Sequence, residues 1–413
     1  MTRCVLDGYN NNTRCRLFNI AIHIGSIYTI RIICLTDNNL NVILDFMYNK
    51  PILMGFTAGI LILVIMITPL NMSASSSYAQ SQTTINGAGA TFPFPLIDAW
   101  RVEFQKVKPT VSINYQSIGS GGGVKQFTEK TVDFGASDAP LSKSEQRAAP
   151  GAVHIPETIG SVVVAYNIPN FPNKGLKLSG PIIADIFLGK ITKWNDPKIQ
   201  TMNPDVSLPS NNIVVVHRSD GSGTTFVWTD YLSKVSSEWS NKIGKSKSVP
   251  WPIGIGAPGN EGVANAIKGT QNTMGYIELA YALTTKMPYA YLQNQAGKFI
   301  EPSISSTKAA VSASAPNLPK GDQSWESVSL VNAPVADSYP IASFSYLLLY
   351  KELSTNPSID EAKAKALVDF ISWAITDGQK FADKLGYVSL PDQVVKLDQD
   401  TLKSLTFHGK PLI

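Results

Sequence analysis

Cysteine is almost missing from this chain, and its placement restricts the chemistry further. The 413 residues contain three, Cys4, Cys15 and Cys34, all near the start. Everything downstream is therefore barred from disulfide cross-links and from thiolate nucleophiles. Histidine is equally sparse, and His154, His217 and His408 form no cluster in the body of the chain. No Gly-x-Ser-x-Gly elbow occurs, so metal-assisted and serine-hydrolase chemistry both lack their usual parts. A Walker-type phosphate loop is absent too, since Gly244-Lys245-Ser246 has Trp239 where the first glycine would stand. An excess of one charge is also wanting. The net charge is +4, but Met1 to Lys50 carries five basic and three acidic residues and none falls between Pro51 and Ile97, which leaves 30 basic against 28 acidic. A neutral body does not track nucleic-acid backbones, so any anion affinity is local.

Two features of the amino-terminal region stand out. Residues 51–70 form an uncharged apolar run, preceded by Lys50 and followed by serines, and long enough to span roughly 30 Å of hydrocarbon. Apolar on every face and placed ahead of the polar linker 72–84, residues 47–71 read as a signal peptide or membrane anchor, which puts the body outside the cytoplasm. Ala74 and Ala79 offer only a loose cleavage site, and no cysteine follows for lipidation. Residues 1–46 do not suit a signal sequence, so Met47-Tyr48-Asn49-Lys50 is expected to be the natural n-region and 1–46 a mis-called or non-homologous extension.

Beyond the linker, β-rich apolar segments (111–118, 132–136, 161–168, 213–216, 345–350) alternate with helical ones (95–107, 124–130, 181–188, 225–235, 262–267, 360–376), the pattern of an α/β fold. In the last helix Leu367, Phe370, Ile371 and Ala374 make one buried stripe, with Gly378 expected to end it. Residues 302–319, rich in Ser, Ala and Pro, read as a surface excursion. About 330 residues exceed one ordinary domain. Two lobes are expected, residues 85–165 with 336–413 and residues 166–335, hinged across a cleft, with 161–168 and 341–350 as candidate crossing strands.

Ser219-Asp220-Gly221-Ser222-Gly223-Thr224 follows an apolar strand ending in Arg218 and precedes a helix. Such a turn aims backbone N–H groups, hydroxyls and one fixed guanidinium at a point, an anion cradle. Arg218 brings a planar fork suited to two oxygens of a tetrahedral anion, while Asp220 can cap the following helix, hold the guanidinium, or do both. Gly87-Ala88-Gly89-Ala90-Thr91-Phe92-Pro93 and Gly119-Ser120-Gly121-Gly122-Gly123 are turns of similar type, offering the hydroxyls of Thr91 and Ser120. Thr91 taken alone is a helix cap. His217, beside Arg218 on an alternating strand, should face away from the cradle and pack.

Asp138 in Phe134-Gly135-Ala136-Ser137-Asp138-Ala139-Pro140 is at odds with an oxyanion site unless the ligand keeps a proton. Two like charges about 4 Å apart repel by several kcal/mol at an effective dielectric near 20. A P–OH group can instead donate to the carboxylate, whereas fully ionised sulfate offers only lone pairs. A site built around such a donor discriminates by roughly 10⁴. Alone, Asp138 would be an ordinary turn residue before proline.

These four motifs, in this order, resemble those of the phosphate-binding proteins of ABC phosphate importers, and Trp251-Pro252-Ile253-Gly254 and Gly275-Tyr276-Ile277-Glu278 are similar as well. The similarity runs from about Ile85 to the C-terminus. It implies a two-lobed fold of the type II periplasmic-binding-protein class that closes on one inorganic phosphate. It implies contacts from Thr91, the Phe92 backbone, Ser120, Asp138, Arg218, Ser222, Gly223 and Thr224, with Asp220 supporting Arg218. It also implies an ABC permease with its ATPase subunit as partners, with no cofactor, no metal and no enzymatic activity. Gly121 stands where many relatives have a second serine, which removes a hydroxyl but leaves an amide. Three other readings compete: a binder of another oxyanion or an organic phosphate, with Trp228 lining a larger pocket; a phosphoester hydrolase; and an adhesion module with a degraded site.

Overall fold

In the computed structural model of the chain, residues 18–24, 28–35, 41–48, 82–171, 174–312 and 317–413 are described. They fall into two units, Met1–Tyr78 and Ala79–Ile413. The first contains an antiparallel sheet of β1 (Phe18–Ile24), β2 (Tyr28–Leu35) and β3 (Asn41–Tyr48), with Phe18 opposite Cys34 and Tyr28 opposite Tyr48. β3 includes Met47 and Tyr48, the expected start of an export segment. The apolar run 51–70 lies outside the described residues. Among the described residues, no helix is long and apolar enough to cross a membrane.

The second unit is α/β. Its main strands are β4 (Thr83–Gly89), β5 (Val111–Ser117), β6 (Phe134–Ser137), β7 (Ala152–Asn167), β8 (Lys174–Leu178), β9 (Val214–Arg218), β10 (Ile255–Ala257), β11 (Thr273–Glu278), β12 (Tyr289–Gln293), β13 (Phe299–Ile300) and β14 (Ala342–Tyr350). They form one 11-stranded sheet with the path β10-β9-β11-β7-β14-β6-β4-β5. At one end β4 runs parallel to β5 and β6, and at the other β9 runs parallel to β10 and β11. β7 joins the two. Its first stretch, from Ala152 to Ser161, pairs with β14, and from Val162 to Asn167 it pairs with β11. Almost every residue of β7 is buried, as expected of a strand covered on both faces.

The helices follow the sequence pattern with some differences. In Glu361–Ala374, Asp360 caps the start by accepting from the Lys363 N–H at 2.7 Å, and the expected stripe of Leu367, Phe370, Ile371 and Ala374 is buried. Gly378 does not end this helix, which stops at Ala374; it lies where the Trp100 indole closes on its carbonyl at 2.8 Å, and a Cβ there would sit 3.0 Å from the indole nitrogen. Nor is 302–319 wholly a surface excursion. Ile304–Ser312 is a helix that buries Thr307, Ala310 and Val311, with the Thr307 hydroxyl 2.6 Å from that of Ser161 on β7.

Parallel strands place their C-terminal ends together, and loops there meet in a crevice. Thr91, Ser120, Asp138 and the segment Ser219 to Thr224 each follow the C-terminal end of a parallel strand, β4, β5, β6 and β9 respectively, and Arg218 is the last residue of β9.

Candidate functional site

Arg218, the last residue of β9, is buried together with its charge. Asp220 holds it bidentately, accepting from Nε at 2.8 Å and from one terminal nitrogen at 2.5 Å, while the other terminal nitrogen donates to Thr224 Oγ1 at 3.2 Å. A guanidinium has five N–H groups, so one on each terminal nitrogen is left for a ligand. Burial works against this charge, but Asp220 outweighs burial and the Arg218 pKa is raised. Asp220 is correspondingly lowered by Arg218 against its own desolvation. Of its two sequence readings, Asp220 takes the supporting one, because Ser222 caps the following helix, Gly223–Val235, by accepting from Thr225 N–H at 3.0 Å.

The hydroxyls are oriented by counting lone pairs. Thr224 Oγ1 accepts from Arg218 and from Asn260 Nδ2 at 3.1 Å, both obligate donors. Thr91 Oγ1 likewise accepts from Asn260, from its side chain at 2.8 Å and its backbone at 3.1 Å. With both lone pairs occupied, each hydroxyl can only donate elsewhere. Thr91 is therefore no helix cap; the helix after it, Phe94–Val107, is preceded by Pro93 without a side-chain cap. The Phe92 carbonyl is fixed by Tyr387 Oη at 2.6 Å and that of Thr91 by Tyr281 Oη at 2.5 Å, which sets the peptides of this turn.

Asp138 follows β6 and is 2% exposed. Its N–H donates to Ser120 Oγ at 3.2 Å, its Oδ1 accepts from Ser345 Oγ at 2.9 Å, and Ser120 Oγ lies 3.5 Å from Oδ2. Burial raises its pKa to about 7, with Ser345, Arg218 and Ser120 pulling it down and Asp220 pushing it up. Gly223 abuts this pair: a methyl there would lie 2.4 Å from Ser120 Oγ and 2.6 Å from Asp138 Oδ2. The Arg218 loop and the Asp138 loop therefore meet at one place. Ser120 opens its helix, Ser120–Thr128, four residues earlier than its sequence suggested, after Gly119 at φ 83°. The Gly121 amide does not face the cradle, because it donates to the Gly221 carbonyl at 2.7 Å.

Sequence reasoning missed Asn260, Ser345, Tyr281 and Tyr387. Asn260 stands in the first turn of the helix Gly259–Gly269, ahead of the expected start, and Ser345 is the fully buried one of the two serines in β14. That buried serine was the signal available. His217 packs as expected, stacked on Trp251 at 4.7 Å. Trp228 is buried in the core, against Phe187 and Tyr276. Among the described residues, no group of three His, Cys, Asp or Glu could hold a metal. A cavity of about 460 Å³ lined by Lys320, Gln393, Lys396 and Thr401 contains none of these site residues.

A PBP superfamily domain matches residues 74–377. A protein from Xylella fastidiosa (strain 9a5c) called "Phosphate-binding protein PstS" is 45% identical over 327 residues, covering 79% of this chain and 87% of that protein. A protein of the same name from Pasteurella multocida (strain Pm70) is 44% identical over 344 residues, 82% of this chain and 95% of the relative. The solved structure titled "Crystal structure of DING protein" shares the fold at a TM-score of 0.60 and 20% identity, covering 76% of this chain and 93% of that one.

Proposed function

This chain belongs to the PBP superfamily and, within it, to the PstS phosphate-binding proteins, and on that premise we propose that it captures one inorganic phosphate ion outside the cytoplasm and delivers it to an ABC permease driven by an ATPase subunit. The observation that carries the reading is the meeting of obligate donors with one buried acceptor. Thr91, Ser222, Gly223, Thr224, the Phe92 amide and the two remaining Arg218 N–H groups surround the ion, with Ser120 beside them and Asp220 holding the guanidinium. Asp138 accepts from its P–OH.

Thr91, Thr224 and Arg218 are directed before the ligand arrives, so little ordering of these groups is left for binding to supply. The ion must bring a hydrogen to Asp138, or a carboxylate faces an oxyanion in a dry site. Sulfate brings none. Gly223 lies so close to Ser120 and Asp138 that the cradle suits a small tetrahedral ion. Two lobes, residues 85–165 with 336–413 and residues 166–335, would close over it, joined along β7 and β14. Residues 47–71 would serve export or anchoring. No activated nucleophile stands in the cradle, so the ion is held and released rather than cleaved from an ester. Calorimetry of the chain against phosphate, sulfate and a phosphomonoester tests this. One phosphate bound per chain with sulfate excluded supports it, and equal heats for phosphate and sulfate refute it.

A further inference from the structure

Two buried carboxyl groups converge on one hydroxyl behind the cradle. Ser345 Oγ lies 2.9 Å from Asp138 Oδ1 and 3.0 Å from Glu157 Oε1, and none of the three residues is more than 2% exposed. A serine hydroxyl has a single hydrogen and donates to one acceptor. The second contact is a hydrogen bond only when the second carboxyl is protonated and donates to Ser345. For both contacts to be hydrogen bonds the trio must hold one carboxyl proton, which gives the chain of donation a direction.

The backbone delivers Glu157 to this position. Ser345 pairs with Thr158 and Tyr346 with Pro156, so the β7–β14 ladder skips Glu157. A skipped residue is how a sheet re-aims one side chain. The Glu157 carbonyl, displaced from the ladder, accepts instead from Gln379 Nε2 at 3.0 Å.

The surroundings decide which acid keeps the proton. Burial raises Asp138, as it does Glu157, and Asp220 and Glu278 add to that, but Arg218 and the Ser120 hydroxyl favour the ionised form of Asp138 and have no counterpart at Glu157. The ionisable groups acting on Glu157 are Asp138 and Tyr115, whose hydroxyl is occupied with the Ala90 carbonyl at 2.7 Å. Among the described residues no cation acts on it, and its Oε2 has no hydrogen-bond partner. An ionised oxygen without a partner costs far more in a dry interior than the carbonyl oxygen of a neutral acid.

We propose that Glu157 is a positioning residue for ligand selection: its protonated carboxyl donates to Ser345, which turns the Ser345 hydrogen onto Asp138 Oδ1 and keeps Asp138 an ionised, acceptor-only group for the ligand's P–OH. This rests on the phosphate reading above. Burial also pushes Glu157 up, to about 8. Above that pH, Glu157 loses its proton, competes for the Ser345 hydrogen and sets a second negative charge beside Asp138.

The test is phosphate affinity by calorimetry from pH 7 to about pH 10, a range in which Glu157 loses its proton while the ligand retains one. Wild type should lose at least about tenfold across this range, the worth of one charge-assisted hydrogen bond. Glu157→Gln, whose amide donates to Ser345 at every pH, should match wild type at pH 7 within about threefold and stay flat thereafter. A flat wild-type curve overturns the proposal without any variant. Parallel losses in wild type and Glu157→Gln overturn it as well, as does loss of binding by Glu157→Gln already at pH 7. Absence of phosphate binding by wild type at pH 7 instead refutes the underlying phosphate reading.

Discussion

Gly121 and Gly221 meet backbone to backbone: the Gly121 N–H donates to the Gly221 carbonyl at 2.7 Å, and a methyl built on Gly121 would sit 3.0 Å from the Gly221 Cα. This contact joins the first turn of the helix Ser120–Thr128 to the loop after β9, so the absence of side chains lets the two halves of the cradle come together. Gly121 serves closure, and its amide is already committed.

Gly223→Ala tests how tightly the halves meet. The added methyl strikes Ser120 and Asp138, and overpacking of this kind costs about 1–3 kcal/mol. Phosphate affinity should fall roughly tenfold or more, measured by calorimetry, because the clash exists only where the two loops approach.

Arg218→Lys keeps the charge and removes the fork. Lysine cannot satisfy both Asp220 oxygens and Thr224 while presenting two parallel N–H groups. The loss of two charge-assisted bonds, about 3 kcal/mol, should weaken phosphate binding roughly a hundredfold. An affinity within a few-fold of wild type would remove the guanidinium from the site.

Asp398 gives a pH prediction remote from the cradle. It lies fully buried in the helix Asp392–Lys403, neither carboxyl oxygen has a hydrogen-bond partner among the described residues, and burial raises its pKa well above the usual 3.8. Because the folded-state pKa exceeds the unfolded one, the native state holds the proton more tightly. Low pH therefore favours the fold, and each unit of rising pH above about 4 removes up to about 1.4 kcal/mol until the folded-state group ionises. Asp398→Asn lacks this slope. Urea unfolding at a series of pH values should show the variant gaining on wild type as pH rises, and a constant difference would contradict the burial.

Much of the cradle was legible because its parts are local. Arg218 to Thr224 is one strand-turn-helix segment, and Asp138 could be read from the conflict between a carboxylate and an anion site. Asn260, Tyr281, Ser345 and Tyr387 were not legible, since each acts across long sequence separations, as with Tyr387 on the Phe92 carbonyl. The α/β class followed from alternating segments. The continuity of β7 did not, because a 16-residue buried strand reads as an apolar stretch of uncertain limits. Glycine misled at Gly378, where it makes room for Trp100 rather than ending a helix.

The most direct measurement is competition between phosphate and sulfate for wild type and Asp138→Asn, by calorimetry at pH 8. The substituted side chain would present an amide donor as well as an acceptor, so a proton on the ligand is no longer required. The account predicts that sulfate, excluded by wild type, competes with phosphate in the variant while the fold is unchanged. Sulfate exclusion as strict in the variant as in wild type would contradict it.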